Sequence, residues 1–282
     1  MVNGERDYEG LIDAADDDLD FGDTHDDANM PPTKLRWSTI YAMYLHQAIP
    51  LALGGVFEEW QIQVIGFFAG ALGGVSLAAN NGLMNVFVTL SALNYGIMSA
   101  TTVRVGFFLG EGSPRKARAV TALAGWVSLC VGVLISCALV LLRDDLGKIF
   151  SSDPEVWRLT SSLCWLVGPT YICLCVFFVC VASLQGQGRP LALAASFAVG
   201  AWGVSVPASW YFAFGGPDWQ LWGVWLGLVL GYSVITAMCL FFTCRSDWEA
   251  MAREALVRGG KKRTKQEDAA KDPLQLQDPL LL

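Results

Sequence analysis

Two adjacent carboxylates, Glu58 and Glu59, stand in the middle of an apolar run, residues 48–71, that also holds Gln61 and Gln63. As a helix, a run of that length reaches ~36 Å at ~1.5 Å per residue, enough to cross a hydrocarbon layer of ~30 Å. Both acids then fall near mid-membrane. An acid there costs about 2.5–3.5 kcal/mol on insertion scales, so it faces a bundle interior or an aqueous cavity and marks an ion or substrate path. The chemistry such a group offers is reversible neutralisation, by a proton or by a bound cation. The two side chains point ~100° apart on a helix. Glu58 shares its face with Gln61 and Ile65, Glu59 with Gln63.

The rest of the chain supplies the elements that would position them. Hydrophobic residues make up 54% of the 282 and charged residues only 16%, against about 25% charged in soluble domains, so the chain reads as mostly membrane-embedded. Apolar segments over about 48–71, 76–105, 119–142, 156–183, 190–214 and 220–243 predict six spans. In the second, Asn81, Asn85 and Thr89 recur at i, i+4 and i+8, a polar stripe that must face protein or water. Before the first, Trp37, Tyr41 and Tyr44 share one helical face, as in a segment at the headgroup boundary, and Pro50 then marks a kink or the start of the span. Lys34, Arg36, Arg104, Arg115, Lys116, Arg118 and Arg189 fall on one side with the basic C-terminal tail, which places both termini in the cytoplasm. Trp210, Trp219, Trp222 and Trp225 cluster at the last outer turn, where an aromatic belt belongs.

The net charge of −7 is unevenly spread. Residues 1–27 hold eleven acids and one Arg, so the remainder is basic. The expected organisation is a disordered acidic tail over 1–34, a membrane lobe over 35–248 and a cytoplasmic C-terminal tail over 249–282. The eight cysteines fall within or at the ends of helices and read as small apolar residues, not as metal ligands or disulfides. No nucleophile, base and acid assemble into a catalytic set, so the chain does not read as an enzyme, and no cofactor, metal or nucleic-acid partner is expected.

Several stretches, in order, give a specific resemblance. Pro50-Leu51-Ala52-Leu53 precedes Phe57-Glu58-Glu59-Trp60; Arg104-Val105 leads to Leu109-Gly110-Glu111-Gly112-Ser113-Pro114 and a basic run; Ile149-Phe150-Ser151-Ser152-Asp153-Pro154, Leu184-Gln185-Gly186-Gln187-Gly188 and Asp247-Trp248-Glu249 follow. The chain resembles the C-terminal lobe of a eukaryotic multidrug and toxic compound extrusion (MATE) transporter. That resemblance implies an all-α integral membrane fold, a six-helix bundle forming one of two lobes around a central cavity, and multidrug or xenobiotic antiport. It implies that the carboxylate at Glu58 belongs to the cation site, with the proton the usual coupling ion and sodium the other choice, and that Asn85 matches an Asn of the family's eighth helix. Three positions depart from the family pattern. Gln63 stands where a second Glu is common, Leu174 where relatives have an Asp, and Glu59 where they have an aromatic.

The resulting expectation is a multi-pass antiporter of the plasma or vacuolar membrane, or half of one. It would export organic cations through Glu58 and Asn85, with Glu59, Gln61, Gln63, Asn81 and Thr89 as possible lining residues. Six spans in place of twelve imply self-association or pairing with a separate N-terminal lobe. The alternative is a non-transporting membrane module derived from such a lobe.

Overall fold

A computed structural model describes residues 37–258. The acidic N-terminal tail, Lys34, Arg36 and the basic C-terminal stretch of the sequence reading lie outside the described residues. The chain divides into two units, Met1–Ile49 and Pro50–Leu282, and everything that follows about packing and the site concerns the second.

The described chain is a succession of helices: α1 (Trp37–Ala71), α2 (Gly74–Gly110), α3 (Pro114–Leu141), α4 (Arg143–Phe150), α5 (Pro154–Gly186), α6 (Pro190–Gly215), α7 (Gln220–Cys244) and α8 (Trp248–Arg258). Helices satisfy every backbone polar group within the segment, which is what a bilayer demands. Five of them, α2, α3, α5, α6 and α7, are long and apolar enough to cross a membrane. The expected count of six included α1. At 35 residues it has the length, but Glu58, Glu59, Gln61 and Gln63 interrupt its apolar run, and it is not among those five. Trp37–Gln47, read from sequence as a separate interfacial segment, is the opening of α1, which stays helical through Pro50. The connection between α3 and α5 contains a further short helix, α4, which the acid-rich sequence did not suggest.

Two turns share one design. Gly110-Glu111-Gly112-Ser113-Pro114 ends α2 and Gly186-Gln187-Gly188-Arg189-Pro190 ends α5. In each the second glycine takes a left-handed conformation, φ 71° at both Gly112 and Gly188, open to glycine because it lacks a Cβ. The next residue's N–H then reaches back to a carbonyl of the last turn, Ser113 to Phe108 at 2.9 Å and Arg189 to Leu184 at 3.0 Å. Proline follows at the first position of the new helix, where its missing N–H costs nothing. On the opposite side, Asp153 caps α5 by accepting from the Glu155 N–H at 2.9 Å, with Pro154 behind it.

Helix α5 is the spine of the bundle, buried along most of its length by α2, α3, α4 and α7. Its cysteines 164, 175 and 180 are buried and free, and Cys175 packs against Gly132 of α3. Helix α6 is not regular. Ala198–Ser205 and Tyr211–Gly215 are π-helical, on either side of an α-helical turn that contains Pro207. Proline excludes the usual i−4 bond, and a widened turn is one way to absorb that. The same helix packs very closely on α7. Gly223, Gly227 and Gly231 recur every four residues on α7 and present bare backbone to Phe212, Ser209 and Ser205 in turn, while Gly200 of α6 meets Ile235. Small residues at this spacing are what lets two membrane helices approach to backbone contact. The four tryptophans of the expected belt divide: Trp210, Trp219 and Trp222 are partly exposed, whereas Trp225 is 1% exposed and belongs to the core.

Candidate functional site

Four helices converge on a cavity of about 90 Å³. Ile62 of α1, Phe87 of α2, Leu174 and Phe178 of α5 and Leu228 of α7 give it an apolar wall. Into that wall α1 inserts one ionisable carboxylate, Glu58. The Tyr232 hydroxyl on α7 donates to Glu58 Oε1 at 3.0 Å, and the Tyr232 ring stands edge-on to Phe177 at 5.6 Å. Tyr95 from α2 closes the cavity on another side, edge-on to Phe178 at 4.9 Å. The Glu58 carboxylate therefore meets one phenol directly and shares its cavity with the aromatic side chains of Phe87, Tyr95, Phe178 and Trp225.

Behind the cavity lies a second layer of polar contacts. Asn94, fully buried, donates to the Tyr171 hydroxyl at 3.0 Å, and Tyr171 packs edge-on to Phe87. On α1 itself, Gln61 is fully buried and donates to Ser205 of α6 at 2.7 Å.

The residues singled out from sequence are dispersed by the fold. Glu58 lines the cavity and Gln61 is buried against α6. Glu59 and Gln63 lie on exposed faces of α1 outside the lining. Asn81, Asn85 and Thr89 also lie on an exposed face, of α2, where the Asn85 side chain donates to the Asn81 carbonyl one turn back at 2.9 Å. The buried asparagines of α2 are Asn80 and Asn94. Sequence reasoning missed Tyr232, Tyr95 and Trp225. Tyr232 carried a usable signal: a phenol inside the apolar α7 span needs a partner, and the acid of another span is a natural one.

Comparison with known proteins fixes the family. A family model described as MatE matches residues 50–211. The chain belongs to the MatE family. It is 27% identical over 230 residues to "Multidrug and toxin extrusion protein 2" of Mus musculus, covering 80% of this chain and 39% of that protein. It is 28% identical over 254 residues to "Protein DETOXIFICATION 39" of Arabidopsis thaliana, covering 86% of this chain and 48% of that protein. The crystal structure of the eukaryotic MATE transporter AtDTX14 superposes with a TM-score of 0.74 at 20% identity, over 80% of this chain and 51% of that one, which bears on the fold alone. The chain thus spans less than half the length of these curated relatives, and it is a multi-pass, all-α membrane lobe of the MatE type. Leu174, which stands where the family resemblance puts an Asp, lines the cavity directly. In this MatE lobe Glu58 is accordingly the one carboxylate in the cavity wall among the described residues.

Proposed function

We infer that this lobe is part of an antiporter that expels organic cations in exchange for protons, and that Glu58 is the group both compete for. The observation that carries the reading is a carboxylate set into an apolar, aromatic cavity wall with a phenol as its hydrogen-bond partner. Taking a carboxylate out of water disfavours its charged form, and a cation held beside it offsets that cost. Proton and cation are then alternative ways of neutralising one site, which is what exchange requires. Names of relatives such as "Multidrug and toxin extrusion protein 2" support a toxin or drug as cargo. The exposed Asn81, Asn85 and Thr89 stripe supports a second lobe, since polar side chains of a membrane helix are costly against lipid; that lobe is either a second copy or a separate N-terminal half.

The test is efflux of ethidium from energised membrane vesicles of cells expressing the protein. An inward proton gradient is expected to drive efflux, a sodium gradient is not, and Glu58→Gln is expected to abolish it while leaving insertion intact. Undiminished proton-driven efflux by Glu58→Gln would remove Glu58 as the coupling group. Loss of efflux by Glu58→Gln also decides against the non-transporting module.

A further inference from the structure

Helices α1 and α6 run side by side in the same direction, and their contacts can be followed residue by residue. Gly54 meets the Ala194 backbone and the Phe197 ring. One turn on, the Trp202 indole N–H donates to the Phe57 carbonyl at 3.2 Å. One further turn on, the Gln61 amide donates to the Ser205 hydroxyl at 2.7 Å. Beyond that, Phe68 and Phe214 meet edge-on at 5.9 Å. Both polar links fall in the turn of α1 that carries Glu58, one immediately before it and one three residues after it. Both come from the π-helical segment Ala198–Ser205.

The Phe57 carbonyl has two lone pairs, so it can accept the indole N–H as well as its helical partner. Ser205 is itself held from behind, because its Cβ rests against Gly231 of α7. Tyr232, the residue after that glycine, is the donor to Glu58 Oε1. A short relay therefore connects the carboxylate to its phenol by two routes: directly, and through Gln61, Ser205 and Gly231. A shift of α1 against α6 would move Glu58 relative to Tyr232.

We propose that Trp202 and Ser205 are positioning residues, which lock the Glu58 turn of α1 onto α6 and so set the Glu58 carboxylate on the Tyr232 hydroxyl at the cavity wall. Neither residue lines the cavity, so each acts through Glu58 and not by touching cargo. The assignment builds on the reading of Glu58 as the cation-binding group, yet the geometry it predicts is measurable without transport.

The primary experiment is infrared difference spectroscopy on the purified full chain in lipid nanodiscs. The Glu58 carboxyl bands are identified by their loss in Glu58→Gln, and Tyr232→Phe shows how far they move when the phenol bond is removed. Trp202→Phe keeps a large ring without the donor, and Ser205→Ala removes only a hydroxyl. Each is expected to shift the Glu58 bands in the direction set by Tyr232→Phe. Each is also expected to raise the KM for ethidium about three- to tenfold, the worth of one interhelical hydrogen bond, with a smaller change in maximal rate. Wild-type Glu58 bands in folded Ser205→Ala and Trp202→Phe would overturn the proposal, and if Trp202→Phe does not fold, Ser205→Ala decides alone. Persistent efflux in Glu58→Gln would sink the coupling role while the band positions still answer for the positioning role.

Discussion

The closeness of α6 and α7 can be tested at Gly231. A Cβ at this position would overlap the Cβ of Ser205, and a side-chain root cannot swing aside as a flexible tip can. The strain must be relieved by moving one helix away from the other. Overpacking of this kind costs about 1–3 kcal/mol, and the rigid partner puts Gly231→Ala at the upper end, near ~3 kcal/mol. For a chain of this size each kcal/mol lowers the melting temperature by about 2–4 °C, so a fall of roughly 6–12 °C is expected in detergent-solubilised protein followed by thermal denaturation. Gly227→Ala, which would meet Ser209, belongs to the same class. Gly55→Ala and Gly125→Ala meet nothing within 4 Å, and a helix-interior glycine exchanged for alanine gains up to about 1 kcal/mol. They are expected to melt at or slightly above the wild-type temperature. A Gly231→Ala protein that melts with the wild type, or controls that fall equally, would refute the close-approach argument.

Three further outcomes are expected. Beside α4, the Ser161 hydroxyl donates to Asp144 at 2.6 Å, and that bond, with Arg143 alongside, holds the Asp144 carboxyl below the ordinary range. A depressed carboxylate stabilises above its unfolded value and loses that contribution as pH falls through its folded one. Protection of the α4 amides, corrected for the intrinsic exchange rate at each pH, should therefore fall as pH drops below the usual Asp range, modestly because the group is exposed, and Asp144→Asn should abolish the dependence. Cysteines introduced beside Asp145 and Asp218 should be labelled from outside and one beside Ser113 from inside; labelling at Ser113 from outside would reverse the orientation. Mass measurement in mild detergent should show self-association or a bound partner lobe, and a fully stable monomer would count against the two-lobe arrangement.

Much of the scaffold was legible residue by residue. The Gly-x-Gly-x-Pro turns at 110–114 and 186–190 announced where helices end and restart, because only glycine takes the required φ cheaply and proline suits the first helical position. The carboxylate at Glu58 stood out within its apolar run, because an acid in such surroundings is costly, and the structure sets it in the cavity wall. The π-helical turns of α6 were not legible in this way, since they follow from close packing on α7 as well as from Pro207.

Which residues meet was decided only in three dimensions. The polar stripe Asn81, Asn85 and Thr89 looked inward by its periodicity, yet the cavity is served by the face of α2 bearing Met84, Phe87, Ser91 and Tyr95, while Asn80 and Asn94 are buried. In a soluble protein, apolar periodicity separates core from water. In a bilayer the lipid is as apolar as the core, so the same pattern cannot tell the two apart. The sequence by itself determined that there are membrane helices, where they turn, and that an apolar run carries an acid. The tertiary structure decided which face each helix turns to its neighbours, and with it that Glu58 meets Tyr232 and that Gln61 meets Ser205.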